Sequence, residues 1–238
     1  MEQTLTERVQ AVREKIEAAA RTAGRDPAEI TLCAATKVQT SDTIRAAIAA
    51  GITVCGENRV QELTGHLADG AYEGAQVHFI GHLQRNKVKY VVGKVDLIQS
   101  VDGQELLELI DRRAERLGLC QDILIEVNIG GEASKSGVTP EQAHQLAALA
   151  GQMEHVRLRG LMAIPPISTG EGENRRFFAA MRQLFVDITE KKYNNKSTMD
   201  ILSMGMSGDF TDAILEGATL VRVGTALFGP RPPVRALG

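Results

Sequence analysis

A single (β/α)8 barrel of the TIM type, with an extra helix at its N-terminus, is the α/β fold this chain predicts. Eight short apolar runs rich in β-branched residues are spread along 238 residues, each followed by a helical pattern or a loop. Polar and glycine residues gather at the C-terminal end of nearly every run: Lys37, Asn58, His82, Asp102, Asn128, Met162 to Pro165, Ser203 to Ser207, and Arg222 to Thr225. A barrel collects residues from all its strands on one face, whereas an open doubly wound sheet concentrates them at one crevice. With 43% hydrophobic content the chain can bury one large core, so residues 1–238 are read as a single domain.

The elements follow in order. Residues 6–23 pattern as an amphipathic helix with Val9, Val12, Ile16 and Ala19 or Ala20 on one face, ended by Gly24. Strands are expected at 31–37, 52–57, 77–83, 96–101, 122–129, 157–164, 200–206 and 219–228. Helices are expected at 41–50, 58–68, 84–93, 103–117, 140–153, 173–192 and 209–217. Ser41 and Asp102 suit N-caps, and Thr139-Pro140 suits a cap and first turn. Residues 165–172 read as a long loop, 191–196 as a polar surface loop, and 230–238 as a frayed tail.

A net charge of −3 gives no general attraction to nucleic acid or anionic membrane. No apolar stretch reaches the length of a membrane span, and the acidic, polar N-terminus is unlike a signal peptide. Cys33, Cys55 and Cys120 lack metal spacing, and the first two lie inside apolar runs, as buried thiols of a reducing compartment do. A cytoplasmic protein is expected, and a monomer, because no long exposed apolar face stands out.

Lys37 closes the first apolar run. An ordinary lysine has a pKa of about 10.4, so roughly one in a few thousand is neutral at pH 7. Partial burial raises that fraction and makes the amine available for imine formation. The alternative is a solvated lysine at a strand end. The segment Ser203-Met-Gly-Met-Ser-Gly-Asp209 leaves the seventh run, and Arg222-Val-Gly-Thr225 lies on the eighth. Glycines let backbone N–H groups approach an anion, and the hydroxyls of Ser207 and Thr225 add donors, where barrels commonly hold phosphate. Tight turns alone are the competing explanation. Arg222 shares the strand face of Gly224 and so points inward, where it needs a ligand oxygen, a ring nitrogen or a carboxylate. An internal ion pair with Glu57 or Asp209 is the alternative there.

Asn58 could bond a ligand or merely cap the next helix. His78 and His82 are evenly spaced on one strand, but no third ligand is placed nearby, so no metal is expected. His82, at the strand end, is the better site candidate. Lys135, in Ser134-Lys-Ser-Gly137, reads as part of a solvated loop. None of the three tyrosines, Tyr72, Tyr90 and Tyr193, sits at a strand end. No dinucleotide, Walker or nucleophile-elbow motif occurs.

Taken together, Ala34-Ala-Thr-Lys37, Gly56-Glu-Asn58, His78-Phe-Ile-Gly-His-Leu-Gln-x-Asn-Lys87, Asn128-Ile-Gly-Gly-Glu-Ala-Ser-Lys-Ser-Gly137, Leu161-Met-Ala-Ile164, Leu202-Ser-Met-Gly-Met-Ser207 and Val221-Arg-Val-Gly-Thr-Ala-Leu-Phe-Gly229 resemble the pyridoxal 5′-phosphate homeostasis protein family. The resemblance runs from the N-terminal helix to Arg231. It implies a barrel like the N-terminal domain of alanine racemase, without that enzyme's second domain. It implies an aldimine of pyridoxal phosphate on Lys37, with the phosphate held by Ser207 and the backbone of Gly224 and Thr225. Arg222 would face the pyridine nitrogen, Asn58 would lie near the ring, and Met204 would pack beside the cofactor. His82 and Ser203 would stand just behind these residues.

An arginine at the ring nitrogen can only donate, so it holds that nitrogen unprotonated and weakens the ring as an electron sink. Two-base racemisation also needs a partner for Lys37; in alanine racemase it is a tyrosine from the other subunit's extra domain. The expectation is therefore a non-catalytic carrier in vitamin B6 homeostasis that supplies the cofactor to apo-enzymes. A pyridoxal-dependent amino-acid racemase of low activity is the alternative. A Schiff-base aldolase is a third reading.

Overall fold

The computed structural model describes residues 3–132, 134–166, 170, 172–193 and 198–230. Residues 167–169 and 171 of the expected 165–172 loop, residues 194–196 of the polar loop and the tail from 231 lie outside the described residues.

Eight parallel strands close into one barrel in chain order. They are β1 Thr31–Ala35, β2 Val54–Glu57, β3 Gln76–Phe79, β4 Leu97–Val101, β5 Gln121–Val127, β6 Val156–Ala163, β7 Ile201–Ser203 and β8 Leu220–Val223. Closure is made by β1 on β8, with Thr31 opposite Leu220 and Cys33 opposite Arg222. The α-helices are α1 Leu5–Thr22, α2 Ser41–Ala49, α3 Val60–Ala68, α4 Gln104–Leu117, α5 Pro140–Ala150, α6 Arg175–Glu190, α7 Phe210–Leu215 and α8 Thr225–Phe228. No helix among the described residues is long and apolar enough to cross a membrane.

Strand alternation sorts the side chains into two layers. Leu32, Ala34, Cys55, Phe79, Ile98, Ile123, Ile125, Leu202 and Val221 face outward into a large core shared with the helices. Inward positions make two smaller apolar clusters, Cys33–Ala35–Val54–Ile80–Leu220 and Leu97–Leu124–Met162. Cys33 and Cys55 are buried thiols, as their apolar runs suggest. Helix α1 lays Val9, Val12, Ile16, Ala19 and Ala20 on the barrel. It is pinned by Arg8 Nε donating to Leu227 O at 2.6 Å and by Arg25, two residues beyond its C-cap, donating to Ala218 O at 2.7 Å.

Several boundaries differ from the sequence reading. Strand β1 stops at Ala35, β3 at Phe79 and β8 at Val223, because the chain turns outward there to reach the helix layer. Residues 84–93 hold only a 3-10 turn, Arg85–Tyr90, closed by bonds such as Lys87 N to Gln84 O at 2.8 Å. Thr40, not Ser41, caps α2, and Ser41 instead donates to Asp69 Oδ2 at 2.6 Å. Gly103 occupies the N-cap of α4, leaving Asp102 available to His82. Thr139 does cap α5, in a reciprocal capping box with Gln142.

Candidate functional site

Beyond β1 the chain makes a turn in which Thr36 is buried and Lys37 half-buried. Val38 follows at φ 58°, a left-handed conformation that a β-branched residue adopts only under constraint. Its N–H donates to Glu62 Oε2 at 3.1 Å. Behind the turn, the fully buried Glu57 gathers three partners on one oxygen. Thr36 Oγ1 donates at 2.6 Å, Tyr72 Oη donates at 2.8 Å, and His66 Nδ1 lies at 3.1 Å. Burial and then the Glu57 carboxylate hold the Tyr72 phenol far above its ordinary pKa, so it serves as a fixed donor. The exit of β1 is thus braced from outside the barrel.

Facing Lys37 is the turn between β7 and α7. Asp209 shapes it by accepting from Met206 N at 2.7 Å and from Asn174 Nδ2 at 2.8 Å. Ser207 Oγ accepts from Gly224 N at 3.1 Å and Ala226 N at 3.3 Å, so its O–H remains to donate. Lys37, Ser207, Arg222, Gly224 and Thr225 line one cavity of about 410 Å³ at the C-terminal mouth, together with Ala35 and Met206.

Arg222 lies almost wholly inside the barrel, at 4% exposure. One guanidinium nitrogen donates to Ser203 Oγ at 2.5 Å and the other to Ala163 O at 2.9 Å. The alternative ion pairs are not made: Glu57 faces α3 with His66 and Tyr72, and Asp209 is bound in its turn. Ser203 passes its own proton to Gln99 Oε1 at 2.7 Å, and Gln99 Nε2 donates to His78 Nδ1 at 3.0 Å. Burial, helped by the charge of Arg159, pushes the His78 imidazole down to about 4. A neutral ring with an accepting Nδ1 fits that direction. Every bond in the relay therefore has one proton order, running inward from Arg222.

Other expected residues lie elsewhere. His78 and His82 do not share a strand face, because β3 ends between them; His78 is buried and His82 exposed. His82 Nδ1 lies 3.1 Å from Asp102 Oδ2, beside a groove of about 670 Å³. Among the described residues no group of three histidine, cysteine, aspartate or glutamate side chains could hold a metal ion. Asn58 does not cap α3, whose N-cap is Arg59. Its backbone packs under Gly81, and its buried Oδ1 has no hydrogen-bond partner among the described residues. Met204 is fully buried in the outer core rather than lining the cavity, because Ser203 takes the inward position and the next residue faces the helices. Met206 lines the cavity instead.

Sequence reading missed Gln99 and Glu126. Both are polar residues inside apolar strands at inward parity, Gln99 two after Leu97 and Glu126 two after Leu124. That phase was the available signal. A larger cavity, about 750 Å³, lies at the opposite end of the barrel. There Asp122 binds Arg157 at 2.6 Å and Arg159 at 2.6 Å, and Arg159 also reaches Asp200, so the charges neutralise one another. The two ends of the barrel are chemically unlike: Arg157 and Arg159 at the far end are paired with carboxylates, whereas Arg222 at the C-terminal mouth bonds a hydroxyl and a carbonyl.

A closed parallel barrel with a lysine at the exit of β1 and a hydroxyl–glycine cradle between β7 and β8 places the chain among barrels of the alanine racemase type. The family described as "Alanine racemase, N-terminal domain" matches residues 8–232. More narrowly, the chain belongs to the pyridoxal phosphate homeostasis protein family. It is 43% identical over 225 residues to the pyridoxal phosphate homeostasis protein of Aquifex aeolicus, covering 94% of this chain and 97% of that one. It is 41% identical to the protein of that name from Escherichia coli K12, over 92% of this chain and 94% of the relative. Among solved structures, PipY of Synechococcus elongatus PCC7942 with PLP bound is 32% identical, with a TM-score of 0.81, covering 95% of this chain and all (100%) of that one. An alanine racemase of Clostridium difficile, 14% identical with a TM-score of 0.70 over 92% of this chain and 56% of that one, shares the fold.

Proposed function

We infer that this chain holds pyridoxal 5′-phosphate reversibly on Lys37 through an imine, as a cytoplasmic, monomeric carrier that supplies the cofactor to apo-enzymes without catalysing a reaction of its own. One barrel domain carries this activity. The observation that carries the reading is the convergence of Lys37, Ser207, Arg222, Gly224 and Thr225 on one cavity. When bound, the group supplies an aldehyde that condenses with primary amines and a ring that delocalises charge. The residues present fit it. Lys37 offers an amine to the aldehyde, Ser207 and Thr225 offer hydroxyls to the phosphate, and Arg222 offers only N–H donors to a ring nitrogen. Asn58 Oδ1, buried and unsatisfied among the described residues, has the acceptor capacity a ligand donor would fill.

The absence of catalysis rests on two supports. Arg222 is charged and cannot protonate the ring nitrogen, so carbanion stabilisation is weak. None of the three tyrosines lines the cavity: Tyr72 is bound to Glu57, Tyr90 lies under Lys87 and Lys89, and Tyr193 reaches His144. Purified protein should be yellow, and borohydride should fix a phosphopyridoxyl group on Lys37. The Lys37→Ala variant should lose the imine absorption and the borohydride adduct while retaining weak phosphate-dependent binding. An imine spectrum persisting in that variant would remove Lys37 from this role.

A further inference from the structure

Glu126 stands inside the barrel on the wall opposite the phosphate cradle. Leu124, two residues earlier, packs with Leu97 and Met162 in the barrel interior, so Glu126 points into the same space one layer nearer the mouth. It is buried to 5% exposure. Its Oε1 accepts from Ser136 Oγ at 2.9 Å, while Oε2 has no hydrogen-bond partner among the described residues. The loop after β5 folds over it and is held there by Asn128 Nδ2 donating to Glu132 O at 2.9 Å. Gly137 lies so close that a Cβ would come within 2.7 Å of Asn128 N.

The nearby cations are committed elsewhere. Arg222 donates to Ser203 and Ala163, and Lys135 of the covering loop donates to Pro165 O at 2.8 Å and pairs with Glu132. The remaining charged groups acting on Glu126 are Asp102 and His82, paired with each other at the exits of β3 and β4. The groove that His82 and Asp102 line opens to solvent. A buried carboxylate with an unused oxygen and a second carboxylate nearby calls for a cationic hydrogen-bond donor from outside.

We propose that Glu126, with Asp102 and His82, forms a subsite for the ammonium group of an incoming primary amine, which displaces Lys37 and carries the cofactor away. The proposal rests on the cofactor-holding reading above and names the chemical class that ends the holding. The steps balance without oxidant or reductant. The ammonium gives one proton to the Glu126 carboxylate, and the freed lone pair would form the new carbon–nitrogen bond at the carbon of the protonated imine, whose π pair moves to Lys37 Nζ. A second proton passes from that nitrogen to Lys37 Nζ. The bond from Nζ to that carbon then breaks with its electron pair, leaving Lys37 as a neutral amine. Burial, followed by the Asp102 charge, raises the Glu126 pKa above the ordinary carboxylate range, which improves it as a proton acceptor near neutrality. The amine can come from a free amino acid or from a lysine side chain of another protein, and both present the same group.

Two measurements separate this proposal from the reading beneath it. First, cofactor-free protein is titrated with butylammonium and followed by NMR; the wild type should bind, and Glu126→Gln should bind at least tenfold more weakly. Second, protein loaded with pyridoxal phosphate is mixed with butylamine or L-alanine, and loss of the Lys37 imine is followed by absorbance. Glu126→Gln should load like the wild type and exchange about tenfold more slowly, with Glu126→Asp partly restoring the rate. Faster exchange with butylamine points to lysine side chains, and faster exchange with alanine to free amino acids. Equal binding and equal exchange in wild type and Glu126→Gln overturn the proposal while leaving cofactor holding intact. Failure of the wild type to form an imine overturns the reading beneath it. If Glu126→Gln does not fold, Asp102→Asn tests the same subsite, and unchanged butylammonium binding in that variant overturns it.

Discussion

Burial keeps the His78 imidazole neutral down to about pH 4, and the relay to Arg222 depends on that neutrality. In the unfolded chain the ring titrates near its ordinary value of 6.5. Between pH 6.5 and about 4 the unfolded state therefore binds a proton that the native state refuses. The depressed value means that stability is full above the upper limit and is lost as pH falls through the window, by about 3 kcal/mol in all. Protonation at Nδ1 would also set two donors against each other and force Gln99 to turn. His78→Asn keeps an acceptor for Gln99 and removes the titration. Urea midpoints at pH 7 and pH 5 should differ less in this variant than in the wild type; an equal difference would place the acid sensitivity elsewhere. Lys37 and Arg222 were legible as residues because a cation in a β-branched run is chemically odd. Gln99 and Glu126 were legible only through strand phase, which neutral composition does not reveal.

At the scale of elements, the exits of the strands matter more than the strands. Gly81 follows β3 and packs on the backbone of Asn58, where a Cβ would lie 2.2 Å from Asn58 O. Gly81→Ala must therefore shift the exit of β2, costing about 1–3 kcal/mol and moving Asn58. The check is a lowered denaturation midpoint together with weaker loading by pyridoxal phosphate; a loss of stability without a loss of loading would show that Asn58 is not needed at the ring. Far from the site, Thr139→Ala removes one side of the capping box of α5 and should cost about 1 kcal/mol with loading unchanged, measured by urea unfolding and absorbance. The helix signals in the sequence were sound for α1 and α5, where periodicity and caps agree. They failed at 84–93, where only a 3-10 turn forms, and the strand expected at 219–228 ends at Val223 and gives way to α8. Apolar continuity does not mark where a strand must bend outward to reach the helix layer.

For the molecule as a whole, barrel closure brings the exit of β1 beside the exits of β7 and β8, which lie more than 160 positions further along the chain. Pairing of β1 with β8 sets Ala34 beside Val223 and so puts the Lys37 turn next to Gly224 and Thr225. At the other end the Arg157–Asp122–Arg159–Asp200 lattice neutralises its own charges. By itself the sequence determined the strand count, the barrel, the apolar face of α1, the family resemblance and the identity of the amine and the guanidinium, because these follow from periodicity and residue chemistry. Only the tertiary structure decided that Met206 rather than Met204 meets the cavity, that Arg222 bonds Ser203 instead of a carboxylate, and that Glu126 keeps an unused oxygen. Those outcomes depend on register and on where each strand ends, and they are set by packing across the closed barrel rather than by any neighbouring residue in the chain.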